Sequence, residues 1–342
     1  MIELLLFAAA AVVAFGATQL IRNSGSRISA LDVPNERSSH ATPTTRGGGI
    51  SIVVIVIATL IGLWLTNTMG ARDAFSIAAG SLTVALVGFL DDRGLLTSAR
   101  WRLLGHLIAA IIIVSGLRGV PALPVFGNSV DIGVIGSILG VLYLMWLLNL
   151  FNFMDGIDGI TGVETLTTGL CGAYLVWDIA PQSQLWFVPI SLAGAALGFL
   201  ILNWPPAKIF IGDVGSGFIG ILFGGLSIQA AHTSSRLGWS WVILMGVFIV
   251  DATVTLIRRT LRHERLHVAH RSHAYQHMAI RFGRHAPISL AVGAINLLWL
   301  FPIAILVAHE TIDGFSGVII AYVPLVIVAI KLNAGKPSLV TD

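Results

Sequence analysis

Five groups of polar residues interrupt an otherwise apolar sequence, and each has a composition suited to phosphate or metal chemistry. Asp91 and Asp92 are adjacent, in Gly-Phe-Leu-Asp-Asp-Arg, at the end of an apolar run. Paired carboxylates at such a boundary repel each other and lose hydration, so they call for a cation. A solvated helix end is the alternative, although acids at a helix C-terminus oppose its dipole. The second group is Asn149-Leu-Phe-Asn152-Phe-Met-Asp155-Gly-Ile-Asp158-Gly. Polar residues at every third position stay close on a helix surface. Asn149, Asn152 and Asp155 can therefore offer oxygen and amide groups to a hydrated metal, a sugar or a nucleotide. Packing of asparagines between membrane helices accounts for the amides and leaves the two aspartates unexplained.

Asp213 lies between glycines in Lys208-Ile-Phe-Ile-Gly-Asp-Val-Gly-Ser-Gly, where an apolar helix is expected to begin. Glycines allow close approach of a ligand, and the first turn of a helix offers free N–H groups to phosphate; the alternative is a plain N-cap. The loop from Asp32 to Gly49 mixes His40, Arg46, hydroxyl residues and a triple glycine, the composition of a phosphate cradle. Its alternative is a basic loop that only fixes topology. The largest polar loop, about residues 258–285, contains His270-Arg271-Ser-His273. Mg²⁺ prefers oxygen ligands, so these residues suit phosphate better than metal, while Arg258, Arg259 and Arg262 read as contacts to anionic headgroups.

The elements that must position these groups are membrane helices. Of 342 residues, 56% are hydrophobic and 11% charged, and apolar stretches of spanning length recur from end to end. About eleven spans are expected, near 2–21, 47–66, 74–90, 103–120, 133–151, 161–179, 186–203, 214–231, 238–257, 287–307 and 315–331. Residues 1–342 read as one all-α, polytopic membrane domain. The first span carries Glu3 in place of a basic flank and reads as a retained helix. Cys171, the single cysteine, excludes an internal disulfide. A net charge of +3 gives no indication of nucleic acid. Of 20 Lys and Arg residues, all but Arg72, Arg118 and Arg236 fall in loops on one side. The positive-inside rule makes that side cytoplasmic and the N-terminus external. All five polar groups lie on it.

Together these motifs resemble the polyprenyl-phosphate N-acetylhexosamine-1-phosphate transferases, the family of the muramoyl-pentapeptide translocase and of the transferase that starts O-antigen synthesis. The Asp-Asp pair, the Asn-x-x-Asn-x-x-Asp-Gly-x-Asp-Gly run, the Gly-Asp-Val-Gly-Ser turn and the His-x-x-His loop occur in family order over nearly the whole chain. The resemblance implies ten or eleven spans with an active site at the cytoplasmic face and a membrane-level groove for the prenyl chain. It implies Asp213 as a Mg²⁺ ligand, with Mn²⁺ as a substitute, and Asp92 close to the metal. Asp91 would handle the lipid phosphate. Asn149, Asn152, Asp155 and Asp158 would line the nucleotide-sugar site, Phe210 would stack on uracil, and His270, Arg271 and His273 would hold the diphosphate, with His40 and Arg46 as further substrate-binding residues.

The implied partners are a UDP-N-acetyl sugar, undecaprenyl phosphate and membrane lipid in the bacterial inner membrane; a homodimer is left open. Arg93 after the Asp-Asp pair, where the muramoyl branch usually has lysine, and His270-Arg-Ser-His273, where it has three histidines, lower the peptidoglycan reading, which stays as the alternative. Pro34-Asn-x-Arg-Ser-x-His40 followed by Arg46-Gly-Gly-Gly looks more like the branch that initiates O-antigen chains. Thr45 stands where many relatives have proline. A secondary transporter is the rival class, since intramembrane carboxylates also mark ion paths. Such sites lie at the bilayer midplane, not beside loops of glycine and arginine. A CDP-alcohol phosphotransferase would carry an Asp-Gly-x-x-Ala-Arg run, which this chain lacks.

Overall fold

The apolar runs become helices in chain order in the computed structural model, which describes residues 2–24, 30–32, 43–96, 98–130, 132–264 and 270–337. His40, Arg27, Arg37, Arg265 and His267 lie outside the described residues. The spans are α1 (Ile2–Asn23), α2 (Gly49–Leu65), α3 (Ala71–Asp92), α4 (Ala99–Gly116), α5 (Gly133–Met154), α6 (Ile160–Ile179), α7 (Phe187–Asn203) and α8 (Asp213–Thr233). They are followed by α9 (Ser235–Leu244), α10 (Gly246–Leu261), α11 (Ala274–Phe282), α12 (Ala286–Ile295), α13 (Phe301–Ala308) and α14 (Gly314–Lys331). Among the described residues, seven helices are long and apolar enough to cross a bilayer, the bent pair α9–α10 makes an eighth, and α2 and α7 are shorter apolar helices. The protein is an all-α polytopic membrane protein.

Local chemistry explains where several helices start and break. Ser98 caps α4 by accepting the Arg100 N–H, and Asp313 caps α14 through Phe315 and Ser316. The span expected over 238–257 is two helices meeting at 66°. The Tyr322 hydroxyl bonds the Val242 carbonyl (2.5 Å), the acceptor that Gly246 N–H would use in a continuous helix. The span expected over 287–307 is continuous but carries a π-helical turn at Asn296–Leu300. Pro302, just beyond it, has no N–H to give the preceding turn.

Helix α8 is buried from Val214 to Ala231, with α2, α3, α5 and α9 packed around it, while α1, α4 and α14 leave most of their surface to lipid. Contact between α1 and α7 depends on small residues. A Cβ on Gly194 or Gly198 would strike the Phe7 or Ala11 carbonyl, the close approach typical of membrane helix pairs.

Among the described residues, five short strands add to the helices. β1 (Ala30–Asp32) runs antiparallel to β2 (Thr44–Arg46), which runs parallel to β5 (Ile209–Phe210), with Arg46 opposite Phe210. β3 (Leu123–Val125) and β4 (Asn128–Val130) form a separate hairpin, held to α9 by the Trp239 indole N–H donating to Pro124 O (2.8 Å).

Candidate active site

The site is organised where α3 ends and α8 begins. Gly88 lets α3 approach so closely that a Cβ there would run into the Asp213 backbone. Gly212, at φ +76°, turns the chain into α8 beside the Asp92 carboxylate. Asp92 then accepts the Asp213 N–H at Oδ1 (3.0 Å) and the Val214 N–H at Oδ2 (3.1 Å). The next two donors, Gly215 and Ser216 N–H, both reach Gly212 O (3.0 Å). The expected free N–H groups for phosphate are therefore absent: a carboxylate from a neighbouring helix has taken the first two. Asp213 is not the N-cap either: that position is Gly212, and Asp213 is the first residue of α8.

The triple glycine also differs from the phosphate cradle expected. Gly47 and Gly48 N–H donate to Phe210 O (3.1 and 2.9 Å), and Gly49 N–H to Ile211 O (2.9 Å). The missing side chains bring the start of α2 against α8, where a Cβ on Gly49 would meet the Gly215 backbone. Residue Arg46 is what this loop delivers to the site. Its guanidinium bonds Asp32 at 2.9 Å and Asp92 at 3.4 Å, and its Nε is buried without a hydrogen-bond partner. Burial works against the Arg46 charge, but Asp213, Asp92, Asp32 and Asp155 outweigh it and hold its pKa above the ordinary value.

Asp91 pairs with Arg102 of α4 at 2.6 Å and lies within hydrogen-bonding reach of the Asp213 carboxyl. Asp155, the residue after α5, is pushed up to about 8 by burial, with Thr161 and Arg46 opposing the shift and Asp213 and Asp92 adding to it. Folding thus brings Asp91, Asp92, Asp213 and Arg46 together, with Asp155 in electrostatic reach. Acid outweighs base here, and the free donors are hard oxygens. Such a set fits a divalent cation held by Asp213 and Asp92. Among the described residues no three His, Cys, Asp or Glu side chains form a metal cage by themselves. A cation here would complete its shell from water and phosphate oxygens, as Mg²⁺ does.

The histidine loop packs against the end of α5, next to Asp155. His273 stacks with Phe153 of α5 and with His270, with ring centroids 6.5 and 5.0 Å apart. The Tyr275 hydroxyl donates to Phe153 O (2.9 Å), fastening α11 to the end of α5. His270 accepts or donates at Nδ1 with the Ser272 hydroxyl (2.8 Å); burial, then the neighbouring His273 and Arg259, push its pKa down to about 4. Arg271 is half-buried between them.

Other expected site residues have further ties. Asn149 donates to Met145 O of its own helix (2.6 Å), Asn152 is half-buried, and its carbonyl accepts the Asp155 N–H (3.3 Å). Asp158 accepts the Ala207 N–H (3.1 Å) and meets His285 Nδ1 (3.2 Å), joining three loops. The Phe210 backbone carries the glycine contacts described above. Arg258 and Arg262, expected at headgroups, bond the Ala334 and Gly335 carbonyls after α14, and Arg259 bonds Glu264 at 2.8 Å.

A family model described as glycosyl transferase family 4 matches residues 74–231, a stretch that includes Asp91, Asp92, the Asn/Asp run and Asp213. A phospho-N-acetylmuramoyl-pentapeptide-transferase of Geobacillus kaustophilus is 30% identical, over 66% of this chain and 70% of the relative. The chain belongs to glycosyl transferase family 4. A probable undecaprenyl-phosphate N-acetylglucosaminyl 1-phosphate transferase of Bacillus subtilis is 29% identical, over 80% of this chain and 76% of the relative. A decaprenyl-phosphate N-acetylglucosaminephosphotransferase of Mycolicibacterium smegmatis is 28% identical, over 77% and 73%.

Three further polar residues of this family 4 protein are absent from the sequence expectations. Arg102, the partner of Asp91, reads in the sequence as one more basic loop residue. Asp251, buried in α10, bonds the start of α11. Glu164, fully buried in α6, is bonded by Asn296 (2.7 Å) and Thr168 (3.4 Å). For both acids the signal is available: a carboxylate inside an apolar span needs a partner.

Proposed function

We propose that this protein transfers an N-acetylhexosamine 1-phosphate from a UDP-sugar to undecaprenyl phosphate at the cytoplasmic face of a bacterial inner membrane, starting O-antigen or a related envelope glycan. The observation that carries this reading is the meeting of Asp91, Asp92 and Asp213 beside Arg46 at the α3–α8 junction. Phosphoryl transfer asks chiefly for in-line positioning and charge neutralisation, and this junction supplies both kinds of group. Mg²⁺, when bound by Asp213 and Asp92, supplies positive charge to the diphosphate. Arg46, with its unpartnered Nε, holds a phosphate oxygen. Phe210 stacks on the uracil, and His270, Arg271 and His273 hold the diphosphate from the other side.

An oxygen of the lipid phosphate attacks the phosphorus that bears the sugar. The bond from that phosphorus to the bridging oxygen breaks, and UMP leaves with the electron pair. A phosphate monoester has a second pKa of about 6, so the nucleophile is already ionised near neutrality and needs no strong base. Asp91 therefore positions the acceptor, and the Arg102 partner offsets the repulsion between this carboxylate and the incoming phosphate. The N-terminus is external and the C-terminus cytoplasmic, from the distribution of Lys and Arg.

The similarity to a muramoyl-pentapeptide transferase favours peptidoglycan synthesis as the second reading. One assay separates the two: release of UMP by purified protein with undecaprenyl phosphate, Mg²⁺ and a panel of UDP-N-acetylhexosamines and UDP-N-acetylmuramoyl-pentapeptide. Turnover with an N-acetylhexosamine donor is expected. Turnover with the pentapeptide donor alone selects the second reading, and no release with any donor rejects both.

A further inference from the structure

An aspartate inside a membrane helix is costly unless its charge is met, and Asp251 of α10 is almost entirely buried. Its carboxylate accepts the Ala274 N–H at Oδ1 (2.9 Å), the Tyr275 N–H at Oδ2 (3.0 Å) and the Thr255 hydroxyl at Oδ1 (3.2 Å). The first two are the leading N–H groups of α11, which would otherwise point at apolar surroundings. Helix α11 starts immediately after His273. The His273 ring is buried, its Nδ1 lies 3.5 Å from Asp251 Oδ1, and no aligned hydrogen bond satisfies that nitrogen. On the backbone side, His273 N–H donates to Gln276 Oε1 (3.2 Å) and His273 O accepts His277 N–H (3.1 Å).

We propose that Asp251 is a positioning residue: from inside the membrane it caps α11 and faces His273 Nδ1, so that the opposite nitrogen, Nε2, is presented to the diphosphate of the nucleotide sugar. The inference rests on the transferase reading above. To donate to a diphosphate oxygen Nε2 must carry a proton, so the ring form that does so with Nδ1–H toward the carboxylate is the one protonated at both nitrogens; the carboxylate facing Nδ1 supports that form and fixes the ring plane. Stacking with Phe153, His270 and Tyr275 fixes the same plane. Asp251 needs no contact with substrate for this. It acts through the histidine and through the start of the helix that follows.

The test uses the full-length chain in detergent with Asp251→Ala, Asp251→Asn and, as a control, Thr255→Val, which removes one donor and leaves the cap intact. Hydrogen–deuterium exchange is read on peptides covering residues 270–282 and 211–220. Loss of the cap speeds exchange in 270–282 about fivefold, the factor that corresponds to one helix cap, and leaves 211–220 unchanged. The donor KM rises at least about tenfold, as for loss of one partner in a charged hydrogen bond, while the Mg²⁺ activation constant stays within about twofold. Thr255→Val changes neither reading. Unchanged exchange in the Asp251 variants overturns the cap, and faster exchange with an unchanged donor KM overturns the positioning role. Should the alanine variant fail to fold, Asp251→Asn keeps the volume and one acceptor oxygen, and it is judged by the same two readings. Wild-type protein that releases no UMP would refute the transferase reading alone, because the exchange arm does not depend on turnover.

Discussion

Two helices of this transferase begin on a carboxylate that belongs to another helix, and the surroundings of the two caps are opposite. At the start of α8, Asp92 accepts the first two N–H groups with Asp91 and Asp213 beside it and one guanidinium, Arg46, in contact. At the start of α11, Asp251 does the same with a histidine beside it and aromatic rings stacked on that histidine. The first cap leaves a surplus of carboxylate oxygen, which suits a cation. At the second the carboxylate faces one ring nitrogen of His273 and leaves the other, which as an N–H donor suits an anion. One device, anchoring a helix start by a buried acid, can thus build either half of a site for a metal-bound diphosphate. The acids and bases placed next to the cap decide which half.

Asp213→Asn separates cap from cation at the first helix start. Its side chain caps nothing, so turnover should fall about 100- to 1,000-fold, the range seen when one charge-stabilising group is removed, with the melting temperature nearly unchanged. UMP release and a thermal melt on the same sample check this, and near-wild-type turnover would break the contrast between the two starts.

Asp92→Ala removes cap and charge together. Turnover should fall about 100-fold or more, and stability should drop by about 1 kcal/mol for the lost cap, read as a lower melting temperature. A loss of activity with no change in melting would show that the Asp92 hydrogen bonds carry no net stability.

Phe210→Ala sharpens the comparison from the substrate side. Loss of one stacked base costs about 1–3 kcal/mol, so the donor KM should rise about tenfold with turnover little changed. An unchanged donor KM would remove Phe210 from the anion half of the site.

A further effect is in pH dependence. Burial holds Asp155 protonated up to about 8, against 3.8 for the ordinary group. The folded protein therefore keeps a proton that the unfolded chain releases. Without divalent cation, stability should decline as pH rises from about 4 to about 8, and Mg²⁺ should restore more of it at pH 8 than at pH 6. Melts across that range with and without Mg²⁺ test this, and an equal Mg²⁺ effect at both pH values would place Asp155 outside the cation half.

Helix content and the clustering of polar groups were legible because bilayer thickness and hydropathy act locally along the chain. A run such as Gly133–Met154 has one economical fate, and Asp91, Asp92 and Asp213 stood out against apolar neighbours. The breaks were less legible, since the bend after Leu244 depends on Tyr322, a residue far away in the chain that takes the Val242 carbonyl. The glycine readings failed for a related reason. Composition showed N–H groups that could meet phosphate at Gly47 to Gly49 and at Asp213, and it could not show that Phe210, Ile211 and Asp92 already meet them.

The sequence by itself therefore determined the solvent of this protein and the acids that stand out in it, because charge in an apolar chain is expensive wherever it falls. Only the tertiary structure decided which acid caps, which pairs with arginine and which stays free. Hydrogen-bond partners at about 3 Å are chosen by the packing of helices distant in sequence, and no local pattern records that choice.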